Sequence, residues 1–587
     1  MLQFLKYVLA TLVGIFLFFV LSIFIIAGVA SGLSKKSAVE VKEKSILHLR
    51  FDLPIPERTI DNTFSDIDFD GFGTEVVGLN DIRKSLKKAS SDKNIKGIFL
   101  DLEGLQAGAA TIEEIRNSLI EFKKSGKFIY AYAETYYPAN YYLASVADKI
   151  WLVPTGDFIF NGTQSEVMFF TGALEKMGIE MQIIRHGKFK GAVEPFFLKS
   201  LSPENRKQIE SYRSSNYNHF LGRIAASRKM DIETLRNIAY DLKIRSSQDA
   251  VDNKMVDGLK YRDEVNAQLK SKLGLGEKDK LSFITLAKYK DAEEENKKNV
   301  RTDNRIAIVY AQGEINGGQG DDETIGSDRI SEAIRKARMD DKVKAIVFRI
   351  NSPGGSALAS DVIWREVVLA REKKPVIVSM GDVAASGGYY IACPATAIVA
   401  QPNTITGSIG VFGLIPNAQK LLNEKLGINI DKVKLGKYSD LGSVDRPMTS
   451  DEQQIIQGYV DRIYVDFIEK VAKGRKMKSS DVDSIGQGRV WSAIDAKGIG
   501  LVDTLGGIDL ALSIAASKAK LTDYKITELP ALKDPVDELL KKLKGDARTS
   551  FLKEELGANY RYYQQLKKAT QVSGILMRLP YELDYSF

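Results

Sequence analysis

Two glycine-rich segments in the second half of the chain each place a serine just after a strand-like run. Residues 351–356 (NSPGGS) follow KAIVFRI, and residues 384–389 (AASGGY) follow PVIVSM. A serine at a strand-to-helix turn presents its hydroxyl at the start of a helix, and neighbouring glycines leave backbone N–H groups free to hold an anion. A serine nucleophile needs both features, so Ser386 is a candidate nucleophile. A tight helix-packing turn or a phosphate-binding loop is the alternative interpretation.

A serine hydroxyl needs a general base near neutral pH, and the sequence limits the choice. The three histidines (His48, His186 and His219) all lie within the first 220 residues, so no triad can draw both Ser and His from the second half. A lysine whose pKa is lowered by burial is the natural substitute. Lys190, in the segment HGKFKGAVEPF, has the apolar neighbours that burial requires. A solvated surface lysine and His186 as the base are the alternatives.

An internal repeat with an offset of about 248 residues runs through most of the chain. The matched segments include KGIFLDL with KAIVFRI, YYLA with YYIA, and GKF with GKY. On this alignment Ser386 corresponds to Pro138, and Lys190 corresponds to Ser439. The two copies have diverged in complementary ways, because the second keeps a candidate nucleophile and the first keeps a candidate base.

Strand-like runs alternate with helical patterns in the second copy, where IAIVYAQG, KAIVFRIN and KPVIVSM are separated by amphipathic stretches. This alternation is typical of an α/β domain with a largely parallel sheet, whose sites gather at strand ends. Thr449–Glu452 is a capping-box pattern that should open a long helix. We predict a tandem duplication of an α/β domain. The predicted boundaries are an N-terminal arm (1–6), a transmembrane anchor (7–34), a first repeat (45–289), a charged linker (291–304), a second repeat (305–532) and a tail (533–587) whose apolar last residues should pack back onto the body.

The N-terminal segment is long enough to span a membrane. From Tyr7 to Ser34 there are 28 residues without a charge, which suffice for a helix across a hydrocarbon core of ~30 Å. A cleaved signal peptide has a shorter apolar region, so an uncleaved anchor is favoured, although the small residues at 27–30 would also permit cleavage. Charges on the two sides of the segment are nearly balanced and do not fix its orientation.

Composition excludes several classes of partner. Lys and Arg number 83 and Asp and Glu 76, and this net charge of +7 over 587 residues is too thin to indicate nucleic-acid binding. Cys393 is the single cysteine, so neither an intrachain disulfide nor a cysteine-based metal cluster can form. We expect no nucleic-acid partner, no metal and no cofactor.

Taken together, these features resemble the signal peptide peptidase A family in its long, tandem-domain form. That family comprises membrane-anchored serine proteases of the Clp/crotonase superfamily (peptidase family S49). The resemblance rests on the anchor, the two repeats and the motifs SPGG, AASGGYY, TGSIGVFG and GKFKGAVEPF. It implies a Clp/crotonase-like fold for both repeats, with Ser386 as nucleophile and Lys190 as general base. It also implies that Ser408 of TGSIG holds the lysine and that Gly355 and Gly387 are the backbone donors of the oxyanion hole.

The same resemblance implies a substrate, a location and an assembly. The substrates would be signal peptides left in the membrane after cleavage from preproteins, with other envelope polypeptides as further clients. The catalytic body would face the periplasm from the bacterial inner membrane, and the chain would form a homotetramer. We also expect an extended substrate to add as a strand beside Gly354–Gly355. The alternatives are a crotonase-type acyl-CoA enzyme, a non-catalytic membrane scaffold, and a protease that acts mainly on misfolded envelope proteins.

Overall fold

The computed structural model describes residues 39–59, 76–293, 302–532 and 574–579, together with isolated positions between 3 and 21. Within this described part, no helix combines the length and the apolar character that a membrane span requires. Most of the predicted anchor (7–34), of the charged linker (291–304) and of the tail (533–587) lies outside the described residues.

The first repeat forms a six-stranded parallel sheet with helices packed against it. Its strands are β1 (Ser45–Pro54), β2 (Ile95–Gln106), β3 (Phe128–Tyr136), β4 (Lys149–Phe158), β6 (Gly258–Leu259) and β7 (Phe283–Thr285), with β5 (Glu180–His186) lying apart. The strand order is β6-β4-β3-β2-β1-β7. The helices are α1 (Leu79–Ser91), α2 (Ala109–Lys123), α3 (Pro138–Ala144), α4 (Thr171–Met177), α5 (Pro203–Arg228), α6 (Ile232–Tyr240), α7 (Ser247–Asp252), α8 (Arg262–Leu273) and α9 (Leu286–Lys290). The apolar runs of the central strands are buried, as a sheet covered on both faces requires.

The second repeat contains a corresponding sheet of eight strands. They are β8 (Arg305–Gln312), β11 (Val343–Ser352), β13 (Val376–Ala385), β14 (Ala397–Ala400), β15 (Ile405–Gly407), β17 (Val490–Ser492), β18 (Thr504–Leu505) and β19 (Lys525–Leu529). The main order is β17-β15-β13-β11-β8-β19, with β14 pairing with β13 and β18, and only β15 and β17 are antiparallel. The helices are α10 (Ser327–Met339), α11 (Ala357–Lys373), α12 (Gly387–Ala392), α13 (Ser450–Arg475), α14 (Ser479–Ile485), α15 (Ala493–Gly498) and α16 (Ile508–Lys518). The prediction of an α/β fold with largely parallel sheets is confirmed.

A third, mixed sheet joins the two repeats and the tail. It contains β9 (Ile315–Asn316), β10 (Ile325–Gly326), β12 (Gly354–Ser356), β16 (Val411–Asn417) and β20 (Gly574–Arg578). Its order is β10-β9-β12-β20-β16-β5, so it takes β5 from the first repeat and β20 from the tail. Strands β16 and β5 pair antiparallel over seven residues. This sheet therefore ties together three parts of the chain that are distant in sequence.

A helix capping box and the hydrophobic core help to hold the second repeat together with β5 and β20. Helix α13 begins at the predicted capping box, in which Thr449 N–H donates to Glu452 at 2.8 Å and Glu452 N–H donates to the Thr449 hydroxyl at 3.3 Å. The hydrophobic core of the second repeat includes Ile184 from β5 and Met577 from β20, both almost completely buried. Segments from outside the second repeat thus contribute to its core.

Candidate active site

Ser386 lies directly after β13 and before α12. Its backbone has φ 53° and ψ −115°, a conformation that residues with a side chain rarely adopt. The turn is tight, since a Cβ on Gly388 would lie 2.7 Å from the carbonyl oxygen of Ser352. The Ser386 N–H donates to the Gly407 carbonyl at 2.8 Å, and the residue is fully buried. The turn holds the hydroxyl in one place at the end of a central strand.

Lys190 belongs to the first repeat but lies against the second. Strand β5 carries it there by pairing with β16, and Lys190 precedes a 3-10 turn at Gly191–Phe196. The backbones approach closely, because Gly488 has φ +82° and a Cβ there would lie 2.7 Å from the Lys190 Cα. The Lys190 Nζ lies 2.9 Å from the Ser386 Oγ, across 196 residues of sequence. The candidate base of the first repeat and the candidate nucleophile of the second repeat are therefore in direct contact.

Burial determines the charge of Lys190. The residue has 0% of its surface exposed, and this desolvation lowers the pKa of its amine well below 10.5, with no charged group of the described chain contributing. A neutral amine has a lone pair that can accept a proton from the Ser386 hydroxyl. Its N–H groups can donate to the Ser408 hydroxyl at 3.1 Å and to the Ser408 carbonyl at 3.3 Å. This arrangement leaves the lone pair for Ser386.

Gly355 and Gly387 belong to the two glycine-rich turns, which meet in a corner next to Ser386. Gly355 lies in β12 with φ +155°, and a Cβ there would lie 2.1 Å from the Ile315 carbonyl oxygen, so a larger residue does not fit. A Cβ on Gly387 would lie 3.1 Å from the Met577 carbonyl oxygen, and a Cβ on Gly354 would lie 2.1 Å from it. The main chain of β20 therefore reaches into the corner between the two glycine-rich turns.

The register of β20 defines what occupies that corner. Met577 lies opposite Gly355 in the antiparallel pairing of β12 with β20, and the Leu579 N–H donates to the Pro353 carbonyl at 2.8 Å. Hydrogen bonds in an antiparallel ladder alternate, so the Gly355 N–H is directed at the Met577 carbonyl. The chain's own tail thus puts a peptide carbonyl where the sequence analysis expects an oxyanion. The apolar tail was expected to pack back onto the body, but its position at this site was not foreseen.

A polar network that the sequence analysis did not identify supports the turn after Lys190. Glu194 is almost completely buried and accepts hydrogen bonds from the Asn205 amide at 2.9 Å and from the backbone N–H at position 202 at 3.1 Å. The Gln208 amide donates to the Phe189 carbonyl at 3.0 Å. The only signal in the sequence is Glu194 itself, an acidic residue within the apolar run GAVEPF.

A buried ionic cluster joins the repeats beneath the site. Arg349, near the end of β11, donates to Glu57 at 2.9 Å and to Glu114 at 2.7 Å, and both carboxylates belong to the first repeat. Asp382 of β13 accepts hydrogen bonds from the Thr111 N–H at 2.9 Å and from its hydroxyl at 2.7 Å. The strands that lead to the two glycine-rich turns are therefore fixed to the repeat that supplies Lys190.

The other groups considered from the sequence are engaged elsewhere. His186, the alternative base, lies 2.7 Å from Asp461 through its Nδ1 and stacks on Tyr464 with the ring centroids 3.9 Å apart. The Ser352 hydroxyl accepts an N–H from within its own turn, and Ser356 caps α11. The structure brings together Lys190, Ser386, Ser408, Gly355 and Gly387. His186, Ser352 and Ser356 are not part of that group.

Replacing Lys190 by methionine is expected to raise the melting temperature at neutral pH. The pKa of Lys190 is lower in the folded protein than in the unfolded chain, so the unfolded chain binds more protons between those two values. Stability of the parent therefore rises with pH across that window, and the advantage of Lys190→Met should shrink as the pH approaches 10.5. Thermal melts of both proteins between pH 6 and pH 10.5 measure the difference. Lys188→Met, at an exposed lysine two residues earlier, is the control for the effect of the substitution itself. A constant difference between Lys190→Met and the parent would contradict the lowered pKa.

Comparisons with known proteins show which family and which relatives this chain resembles. The sequence profile of Peptidase family S49 matches residues 121–276 and 369–522, one range in each repeat, and these ranges contain Lys190 and Ser386. The chain is 35% identical to "Protease 4" of Salmonella typhi over 483 residues, which cover 80% of this chain and 76% of that protein. It is 36% identical to "Serine protease SPPA, chloroplastic" of Arabidopsis thaliana over 471 residues, covering 79% and 69%. "Putative signal peptide peptidase SppA" of Enterococcus faecium is 36% identical over 198 residues, covering 33% and 57%.

Proposed function

Because this chain belongs to peptidase family S49 and is a serine protease, we propose that Ser386 is its nucleophile, that Lys190 is its general base, and that its substrates are signal peptides. The observation that carries the proposal is the 2.9 Å contact between the Lys190 Nζ and the Ser386 Oγ, both fully buried. Polypeptide substrates follow from the family. The acyl-CoA enzyme and the scaffold are set aside, because the relatives over most of the chain are named as proteases.

The first half of the reaction forms an acyl-enzyme. Neutral Lys190 takes the hydroxyl proton of Ser386 as the Oγ attacks the substrate carbonyl carbon. The N–H groups of Gly355 and Gly387 stabilise the oxygen that becomes negative, as in the Clp/crotonase-like architecture that we propose for both repeats. Lys190 then gives its proton to the leaving amine when the peptide bond breaks.

The second half of the reaction releases the acid product. A water molecule replaces the leaving peptide, Lys190 accepts one of its protons, and the resulting hydroxide attacks the ester carbon. Collapse of this second intermediate returns the proton to the Ser386 Oγ. Ser408 acts as a positioning residue throughout. Its hydroxyl and carbonyl accept the N–H groups of the Lys190 amine, so the lone pair of the amine stays directed at the Ser386 hydroxyl.

The tail strand supports the direction in which a substrate binds. β20 lies antiparallel to β12 on one side and to β16 on the other, with its Met577 carbonyl opposite Gly355. We propose that a substrate binds in the same way, with the residue at the Met577 position on the amino side of the cleaved bond. Pairing through the main chain tolerates many side chains, as the digestion of varied signal peptides requires.

The surroundings of the tail strand favour an apolar substrate. Met577 is completely buried, and Leu579 packs beside Tyr212, Val383 and Ile405 with 3% of its surface exposed. The central region of a signal peptide is a run of 7–15 apolar residues, which suits such pockets. We further propose that residues 7–34 anchor the chain in the inner membrane, with the body on the periplasmic side and the chain in a homotetramer. In that setting the substrate is presented at the membrane surface.

Hydrolysis of a synthetic signal peptide by the full-length chain tests this function. The peptide, embedded in lipid vesicles, is incubated with the parent and with Ser386→Ala, and the fragments are identified by mass spectrometry. A hydrophilic peptide of equal length is the matched control. We expect cleavage of the signal peptide by the parent only. Equal cleavage of both peptides would favour general digestion of envelope polypeptides, and cleavage by Ser386→Ala would overturn the assignment of the nucleophile.

Removing the tail strand is expected to lower KM for short peptides while leaving kcat unchanged. The strand occupies the position that we assign to the substrate, so each substrate must displace it. If that displacement costs about 1.4 kcal/mol, KM falls by about tenfold in a chain that ends at Ser573. A chain that ends at Leu579 keeps β20 and is the control. An equal KM in the two truncated chains would contradict competition between tail and substrate.

A further inference from the structure

A cluster of lysines lies at the edge of the first repeat where its parallel strands begin. A shallow cavity of about 520 Å³ opens at this edge, and Asp92 is the one carboxylate among the described residues that line it. Five lysines line the same cavity, and we call them the lysine edge: Lys44, Lys93, Lys96, Lys127 and Lys272. They come from the beginnings of β1, β2 and β3 and from the last turn of α8.

The positive charge of the lysine edge is largely uncompensated. All of its members except Lys127 are exposed, and within the described residues none of these four forms an ion pair. Asp92 is already engaged, because its carboxylate accepts the Tyr289 hydroxyl at 2.9 Å and the Asn94 N–H at 2.8 Å. Charges of one sign that are clustered on a surface create a potential that attracts ions and surfaces of the opposite sign.

The backbone beneath these lysines is held in place by hydrogen bonds. Lys127 is partly buried, and its Nζ donates to the Ala89 carbonyl at 2.7 Å and to the Asp92 carbonyl at 2.5 Å. These bonds tie the start of β3 to the end of α1, where a lysine satisfies the last carbonyls of the helix. The Lys96 Nζ donates to the Lys93 carbonyl at 2.8 Å. The exposed ammonium groups therefore project from a fixed surface.

The second repeat contains the same edge, so the two can be compared position by position. There the Lys374 Nζ donates to the Ala337 carbonyl at 3.0 Å and to the Asp340 carbonyl at 2.6 Å. The two acceptors lie 248 residues after the two acceptors of Lys127. The bonds that shape the edge are thus present in both repeats.

Two positions of the lysine edge carry no positive charge in the second repeat. The offset of 248 places Asp341 at the position of Lys93. The first N–H of β1 and the first N–H of β8 donate to the carbonyls at positions 94 and 342, so the residues that precede these strands, Lys44 and Asn304, also correspond. The fold therefore does not require the lysines. They are concentrated on the repeat that directly follows the predicted anchor.

We propose that the lysine edge binds the headgroups of anionic phospholipids, so that the first repeat rests on the surface of the membrane that residues 7–34 span. This inference rests on the anchor put forward under the proposed function. Lys44 lies ten residues after Ser34, which is at most about 35 Å of extended chain, so the edge stays near the bilayer. Lysines at such a surface are attracted by anionic headgroups within about 8 Å at physiological ionic strength.

Lysine labelling of the full-length chain in lipid nanodiscs tests this contact. The chain is placed in discs of phosphatidylglycerol or of phosphatidylcholine and acetylated, and each labelled lysine is quantified by mass spectrometry. We expect acetylation of Lys93, Lys96 and Lys272 to be lower by about threefold or more in the phosphatidylglycerol discs. Lys344, which corresponds to Lys96, is the internal control and should be labelled equally in both. Salt at 1 M, where the screening length is about 3 Å, should remove the difference.

The opposing results are distinct from one another. Equal labelling of the lysine edge in the two kinds of disc overturns the proposal, because the edge would then not respond to the charge of the lipid. Equal protection by inorganic phosphate in phosphatidylcholine discs also overturns it, because a free anion would then be sufficient. A chain that co-elutes with neither kind of disc overturns the anchor, and this proposal with it.

Two double variants show whether the edge itself is responsible. Lys44→Asn combined with Lys93→Asp gives the first repeat the residues of its counterpart, and we expect the labelling of Lys96 to become equal in the two kinds of disc. Lys342→Asn combined with Lys344→Asp makes the same change of charge at the other edge and should leave Lys96 protected. All four substituted side chains are exposed, so the melting temperatures should match that of the parent. Protection of Lys96 that survives in the first double variant, or is lost in the second, overturns the proposed surface.

Discussion

Ser386→Ala and Lys190→Ala, each in the full-length chain, should reduce kcat/KM for peptide hydrolysis by a factor on the order of 10⁴–10⁶. The first change removes the oxygen that we propose as the nucleophile, and the second removes the amine that we propose as its base, so neither variant should form the acyl-enzyme at a useful rate. Because the two side chains act as one unit, the double variant should be no slower than the slower single variant. Initial rates on a fluorogenic apolar peptide, with circular dichroism as a check on folding, measure these effects.

Two further variants make this result specific to the dyad. Lys188→Ala removes an exposed lysine close to Lys190 and should leave the rate unchanged. His186→Ala tests the alternative base, whose ring already contacts Asp461, and most of the activity should remain. Activity in Lys190→Ala together with inactivity in His186→Ala would show that the base has been wrongly assigned.

Arg349→Met should lower the free energy of unfolding by about 3–5 kcal/mol. The guanidinium is completely buried and bonds to two buried carboxylates, Glu57 and Glu114, at 2.9 and 2.7 Å. Without it, both carboxylates lose their main counter-charge in a medium of low dielectric constant. Burial already raises the pKa of Glu57 against the opposing effect of Arg349. The defect should therefore be largest at neutral pH and shrink as the pH falls towards 4.5, where protonation relieves the buried charge. Urea unfolding at several pH values measures it.

A partly exposed ion pair offers the matched control for this prediction. Arg335 donates to Glu366 at 2.9 Å, but more than half of its side chain is exposed. Arg335→Met should cost less than about 1 kcal/mol, because solvent screens the exposed guanidinium and Glu366 keeps Arg338 as a partner at 3.2 Å. If Arg349→Met proved no more destabilising than this control, the buried cluster would not be what holds the repeats together.

The sequence was sufficient to predict the α/β fold class and to name residues that lie together in the structure, because both depend on local patterns and on the repeat. Apolar runs followed by glycines mark the strand-to-helix turn at Ser386. Comparison of the copies draws attention to Lys190, because the corresponding position in the second repeat is occupied by Ser439. The first repeat therefore keeps a candidate base that the second repeat lacks. The structure adds the distance between the two side chains, which no pattern contains.

Contacts between distant segments could not be predicted in the same way. The bonds from Arg349 to Glu57 and Glu114 span 292 and 235 residues, and nothing in the local sequence distinguishes these carboxylates from surface ones. The docking of β20 was anticipated only as apolar tail residues that should pack somewhere. A substrate strand was expected beside Gly354–Gly355. The structure places the chain's own residues 574–578 there.

If the proposed dyad of Ser386 and Lys190 performs the hydrolysis, the separation of the two residues also determines when during synthesis a chain can first cut. A ribosome adds about 5–20 residues per second, so the 196 residues between them take about 10–40 s to make. The first repeat can fold during that interval with its lysine in place and no nucleophile to activate. When the serine emerges, β13, β15 and the turn around Gly488 must still assemble around it. With this dyad, a nascent chain therefore gains no hydrolytic activity until most of it has been translated.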